Sequence, residues 1–131
     1  MNSKIKVLIV DDELLARRGV RQLLENEVDF FIVGEALNGR EAISQIEKLS
    51  PNLVFLDIQM PLIDGFSFIE KLDTKNLPEI VFVTAYDEHA IRAFEVGAID
   101  YVLKPINEER FQKTFPRFCT RRNSVANRVF H

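Results

Sequence analysis

The sequence predicts an α/β fold: a doubly wound, five-stranded parallel sheet with helices on both faces. Three observations predict it. Mostly apolar runs of four to six residues occur five times along the 131-residue chain, and runs this short and continuous read as strands covered on both faces. Amphipathic stretches at helical spacing separate them. Strands and helices that alternate in this way form a parallel sheet, and the length suits one domain.

The elements follow in order. Ile5-Lys6-Val7-Leu8-Ile9-Val10 is the first strand and ends in Asp11-Asp12-Glu13. Ala16, Gly19, Val20, Leu23 and Leu24 then recur at helical spacing, with Arg17, Arg18, Arg21 and Gln22 as the polar residues between them. Phe30–Val33 is the second strand. Asn38 with Glu41 three residues on has the shape of a capping box, opening a helix whose apolar positions are Ala42, Ile43, Ile46 and Leu49. Ser50-Pro51 stops it, and Leu53–Leu56 is the third strand, running into Asp57.

Asp64-Gly65 closes the next loop, and Phe66, Ile69 and Leu72 mark the third helix. Leu77-Pro78 breaks that pattern before strand four, Ile80–Val83, which ends at Thr84. Ala90, Ala93, Phe94 and Gly97 suit a short fourth helix, on which His89 reads as solvent-exposed. Ile99–Leu103 is strand five, ending at Lys104-Pro105. Asn107 can cap the last helix, with Glu108 and Glu109 favourable in its first turn. Phe111, Phe115 and Phe118 lie on one side of it. Pro116 predicts a kink or an early end near Thr114, because an interior proline loses a hydrogen bond and clashes with the preceding turn.

Composition narrows the function classes. The chain is 47% hydrophobic and 28% charged, and no apolar run approaches the ~20 residues that span a bilayer. The start of the chain has no signal-peptide pattern, and the single cysteine, Cys119, excludes an internal disulfide. A cytoplasmic protein is expected. Residues 1–109 carry a net charge of −9 and residues 110–131 one of +6. The body is therefore no nucleic-acid binder, and the basic end reads as a solvated helix face and tail. The expected organisation is one domain over residues 1–120, with 121–131 a basic tail or the start of a linker.

Right-handed crossovers limit the topologies, and the order 2-1-3-4-5 is one of two common answers. Ligands of such sheets bind beyond the carboxyl ends of the strands. Those ends supply Asp11 and Asp12, Asp57, Thr84 and Lys104. With strands one and three adjacent, three carboxylates crowd one spot and resist ionisation. A hard divalent cation resolves the conflict, and Mg²⁺ prefers such carboxylate oxygens, waters and a backbone carbonyl, here that of Gln59. Asp12 has an alternative role as the N-cap of the first helix. Asp57 can then act as a nucleophile toward a phosphoryl group. Lys104 is of the right type to neutralise the transferring oxygens, and Thr84 to donate a hydrogen bond to one.

These residues resemble the receiver domain of response regulators, the phosphoacceptor half of two-component signalling. The motifs are Val10-Asp11-Asp12-Glu13, Leu56-Asp57-Ile58-Gln59-Met60-Pro61, Asp64-Gly65, Thr84-Ala85 and Lys104-Pro105, within residues 4–118. The resemblance implies the flavodoxin-like order 2-1-3-4-5. It implies that Asp57 takes a phosphoryl group from a sensor histidine kinase and that Asp11 and Asp12 hold Mg²⁺. It makes Thr84 the switch hydroxyl, Tyr101 the switch aromatic and Lys104 the charge partner, with a cis bond before Pro105. Phosphorylation would repack the face of the fourth helix, fifth strand and fifth helix, and control a homodimer. The segment from Thr84 to Tyr101 is similar to receivers of the LytTR group, whose C-terminal half binds DNA. DNA contact would then come only through that half, which the chain lacks, and the output would be transcription regulation.

Two other classes remain in view. A phosphatase with a nucleophilic aspartate needs an acid two residues after it, where this chain has Gln59. A receiver-shaped interaction module that is never phosphorylated would not need the full set Asp11, Asp12, Asp57, Thr84 and Lys104. Nucleotide binding is disfavoured, because the loop after the first strand is acidic and lacks glycines.

Overall fold

A computed structural model describes residues 5–60, 63–72 and 77–114. Five parallel strands alternate with helices: β1 (Ile5–Val10), α1 (Leu14–Leu24), β2 (Phe30–Ala36), α2 (Gly39–Leu49), β3 (Leu53–Leu56), α3 (Gly65–Glu70), β4 (Glu79–Thr84), α4 (Ala90–Glu95) and β5 (Asp100–Leu103). Residues 108–114, here α5, are helical up to the last described residue. The sheet order is β2-β1-β3-β4-β5, the flavodoxin-like arrangement. Among the described residues no helix is long and apolar enough to cross a membrane.

Each strand sends alternate residues to opposite faces, so the core has two halves. Leu8, Val10, Val54, Leu56, Ile80 and Phe82 pack with Ala42 and Ile46 of α2, Phe66 and Phe68 of α3 and Ala93 of α4. Val7, Ile9, Phe55, Val81 and Val83 pack with Val20 and Leu24 of α1 and with Phe111 of α5. This two-sided burial is why the strands read as continuous apolar runs rather than as alternating ones.

The caps agree with the local chemistry. Asn38 accepts from the Glu41 N–H at 3.0 Å, while the Glu41 carboxylate accepts from the Leu37 N–H at 3.0 Å, a capping box displaced by one residue. Ser50 ends α2 in the left-handed region, with φ 47°. Asp64 caps α3 by accepting from Ser67 N–H. Asn107 accepts from Arg110 N–H at 2.8 Å, the predicted start of α5.

Five expectations change. β2 continues through Gly34, Glu35 and Ala36, past the end of its apolar run, because the slip in register after Val7 keeps it paired with β1. Glu13, not Asp12, occupies the N-cap position of α1, without a side-chain cap bond. Asp11 already turns the chain there, its Oδ1 accepting from the Glu13 N–H at 2.9 Å. Arg17 belongs to the buried face of α1 rather than to its polar side. On α4 only Ala93 is buried, and Phe94 is exposed. His89 is half-buried at the N-cap of α4, its ring edge against Phe66 at 5.9 Å. The expectations for Phe115, Pro116, Phe118 and Cys119, and for the tail 121–131, lie outside the described residues.

Candidate functional site

The register of the sheet assembles the site. β1 pairs with β3 so that Val10 lies beside Leu56. Asp11 and Asp57, the next residue of each strand, therefore leave the sheet side by side. The Asp57 N–H continues the ladder to the Val10 carbonyl at 3.0 Å. β4 pairs with β5 so that Thr84 lies beside Leu103, and the Lys104 N–H reaches the Thr84 carbonyl at 2.8 Å. The peptide bond between Lys104 and Pro105 is cis.

Lys104 is the hub of the resulting cluster. Its Nζ lies 2.9 Å from Asp11 Oδ2, 2.8 Å from Glu13 Oε1 and 3.3 Å from Asp57 Oδ2. The other oxygen of Asp57 accepts from the Gln59 N–H at 3.2 Å. Asp11 and Asp57 are both buried, each 4% exposed. Burial, reinforced by the negative charge of Asp11, pushes the Asp57 carboxyl up to about 6, against the pull of Lys104 and the Gln59 N–H. Burial also raises Asp11, opposed by the Glu13 N–H and by Lys104. For Lys104, burial works against the charge, but hydrogen bonds to Glu13 and Asp11 outweigh it and hold the ammonium well above its usual range.

One ammonium therefore faces four carboxylates. Asp11, Asp12, Glu13 and Asp57 each offer an oxygen, and these oxygens lie within 4.8 Å of one another. An all-oxygen donor set with unbalanced negative charge suits a hard divalent cation such as Mg²⁺. Glu13 is the member that the strand-end argument passes over; its signal in the sequence is only that it is the third acid of the run.

Thr84 is fully buried at the end of β4, and its hydroxyl accepts from the Tyr86 N–H at 3.5 Å rather than bonding a carboxylate. Tyr101 is buried on β5, tilted against Phe82 with ring centres 6.4 Å apart. Its hydroxyl donates to the Tyr86 carbonyl, so both Thr84 and Tyr101 tie into the loop after β4.

Gly65 shows why Asp64 is followed by glycine. The Gly65 N–H donates to the Ile58 carbonyl at 2.7 Å. A Cβ there would stand 3.0 Å from the Asp57 carbonyl oxygen and 3.0 Å from Ile58 Cα. Both are backbone atoms just beyond β3, with no flexible side chain to give way. Gly65→Ala is expected to cost about 1–3 kcal/mol, read as a lower urea midpoint. An unchanged midpoint would show that the Asp57 loop has room to move.

The comparisons with known proteins agree with this geometry. The response regulator receiver domain pattern matches residues 7–115. The chain is 54% identical over 119 residues to the transcriptional regulatory protein BtsR of Salmonella typhi, covering 91% of this chain and 50% of that one. The chain spans about half the length of the curated relatives it matches. Among solved structures, the response regulatory domain of mrkE from Klebsiella pneumoniae is 35% identical with a TM-score of 0.78, over 88% of this chain and 96% of that one. A chain of the CheX-CheY-BeF3-Mg complex from Borrelia burgdorferi is 25% identical with a TM-score of 0.77, over 86% of this chain and 87% of that one. With that pattern matched across the described sheet and the acidic cluster at its strand ends, the chain belongs to the response-regulator receiver family of two-component signalling.

Proposed function

We propose that Asp57 accepts a phosphoryl group from a sensor histidine kinase. The observation that carries this reading is the Lys104 ammonium on Asp57 Oδ2, beside a second buried carboxylate. An Asp57 oxygen attacks phosphorus, and the bond from phosphorus to the donor breaks as the leaving group departs. Lys104 follows the charge onto the transferred oxygens, and the Thr84 hydroxyl turns from Tyr86 to donate to one of them. Asp11, Asp12, Asp57 and the Gln59 carbonyl would hold Mg²⁺, with Glu13 at the rim. When bound, the ion supplies the positive charge that four carboxylates and a phosphoryl group need.

The readout we propose is self-association through α4, β5 and α5. Ile91 and Phe94 of α4 are 79% and 52% exposed, and Leu103 of β5 is 47% exposed. Tyr101 would transmit the change, since its hydroxyl donates to the carbonyl of Tyr86, whose N–H donates to the Thr84 hydroxyl. The protein would work in the cytoplasm, and its output would be transcription, as in the transcriptional regulatory proteins it matches, through a DNA-binding part of the kind the resemblance to the LytTR group implies.

Sedimentation after treatment with a small phosphodonor and Mg²⁺ tests the readout. The labelled chain is expected to shift toward dimer, and Ile91→Glu to abolish that shift with the labelling rate unchanged. A fully labelled chain that sediments as a monomer would remove the dimer from the account.

A further inference from the structure

We propose that Arg17 is a positioning residue for the Mg²⁺ site, acting through the backbone of Asp11; this rests on the reading that Asp11, Asp12 and Asp57 hold the ion. Arg17 is only 9% exposed, an unusual setting for an arginine on the first turns of a helix. Its Nη1 donates to the Asp11 carbonyl at 2.8 Å, and its Nε donates to Glu35 Oε1 at 3.1 Å. Glu35 is held from two further sides. Arg21 donates to its Oε2 from Nε at 3.1 Å and Nη2 at 2.5 Å, and Gln45 of α2 donates to its backbone carbonyl at 2.8 Å.

The path from Glu35 to the acids is short. Glu35 lies beside Ile9 in the register of β1 and β2, and Ala36 beside Val10. The Asp11 N–H donates to the Ala36 carbonyl at 3.0 Å. The peptide before Asp11 is thus held by β2, and the peptide after it by Arg17. That second peptide joins Asp11 to Asp12, so its plane sets where the Asp12 backbone and side chain start.

The arrangement answers a physical problem. Asp11, Asp12 and Glu13 are consecutive acids beyond the end of β1, close to Asp57. Their repulsion favours spreading the loop apart. A buried guanidinium behind the loop resists that, with its planar fork on one carbonyl and one carboxylate. Its charge is shared with Glu35, which keeps it from competing with the cation for the acids. Groups that orient ligands in this way typically change metal affinity 10- to 100-fold when removed.

The test compares wild type with Arg17→Met, Arg17→Lys and Glu35→Gln. Mg²⁺ affinity is measured by calorimetry, and the rate of labelling by a small phosphodonor is followed as Mg²⁺ is varied. Arg17→Met is expected to weaken Mg²⁺ binding about 10-fold or more, with the labelling rate at saturating Mg²⁺ within about threefold of wild type. Arg17→Lys can reach either the carbonyl or Glu35 but not both, and is expected to recover part of the affinity. Glu35→Gln keeps the acceptor and changes the charge; it is expected to weaken binding less, and it carries the test if Arg17→Met fails to fold. Variants that melt lower but bind Mg²⁺ with wild-type affinity would make Arg17 a packing residue and overturn the inference. Wild type that binds no Mg²⁺ would overturn the reading of the site and this inference with it.

Discussion

Asp57→Asn is expected to lose all Mg²⁺-dependent phosphoryl labelling and, in metal-free buffer at neutral pH, to be more stable than the wild type. The first effect follows from removing the only nucleophile among the proposed roles. The second follows from the cluster. In the folded state Asp57 titrates at about 6, against an ordinary value of 3.8. A carboxyl raised on folding contributes stability that is fully present below 3.8 and is lost as pH rises through about 6. At pH 7 the wild type therefore carries a charge that the fold disfavours by roughly 1–3 kcal/mol. Asparagine removes that charge, and Lys104 keeps Asp11 and Glu13 as partners. Urea denaturation at pH 7 and pH 4 checks this: the variant's advantage appears at pH 7 and closes at pH 4. Equal stability at both pH values would mean that burial beside Asp11 does not penalise the Asp57 carboxylate.

Asp100→Ala is expected to be the most destabilising of the single changes considered. Asp100 is fully buried at the start of β5. Its carboxylate accepts from Arg110 Nη1 at 2.9 Å, Arg110 Nη2 at 2.7 Å, the Thr114 hydroxyl at 2.6 Å and the Tyr101 N–H at 2.8 Å. Arg110 also donates to the Tyr101 carbonyl at 3.2 Å. This clamp fastens α5 to β5. Alanine leaves Arg110 and the buried Thr114 hydroxyl facing a void, and breaking a buried pair from one side costs about 3–5 kcal/mol. That is a large share of the ~5–15 kcal/mol holding a domain of this size. The pH dependence has the opposite sign to that of Asp57. Burial would raise Asp100, but Arg110, Thr114 and the Tyr101 N–H outweigh it and hold the carboxyl below 3.8. Its stabilisation is present above 3.8 and is lost as pH falls through the lower folded value. The gap between wild type and variant is therefore expected to be wide at pH 7 and to narrow in acid. A loss under about 1 kcal/mol at pH 7 would show that the clamp is dispensable, as many exposed ion pairs are.

The strands were readable because each is buried on both faces, which leaves an unbroken apolar run such as Leu53–Leu56. The strand-end residues were readable for the same reason: a run that stops at Asp57 or Asp11 marks where the sheet meets water. Which ends are neighbours depends on sheet order, and periodicity left that open between two arrangements; register then brings Asp11, Asp57 and Lys104 into contact. What stayed hidden is long-range and polar. Arg17 looks like any charge on an amphipathic helix, and only its distance to Glu35 and to the Asp11 carbonyl explains its burial. Asp100 reads as one polar residue in a strand, because its partners lie ten and fourteen positions away on α5. Phe94 fits the helical spacing of α4 yet faces out, because α4 is only six residues long and buries little beyond Ala93.

The most direct test of the central claim is intact-mass analysis of the chain after incubation with a small phosphodonor, with and without Mg²⁺. The account predicts a single phosphoryl adduct that requires Mg²⁺ and is absent from Asp57→Asn. An adduct that persists in Asp57→Asn, or one that forms equally well without Mg²⁺, would contradict it.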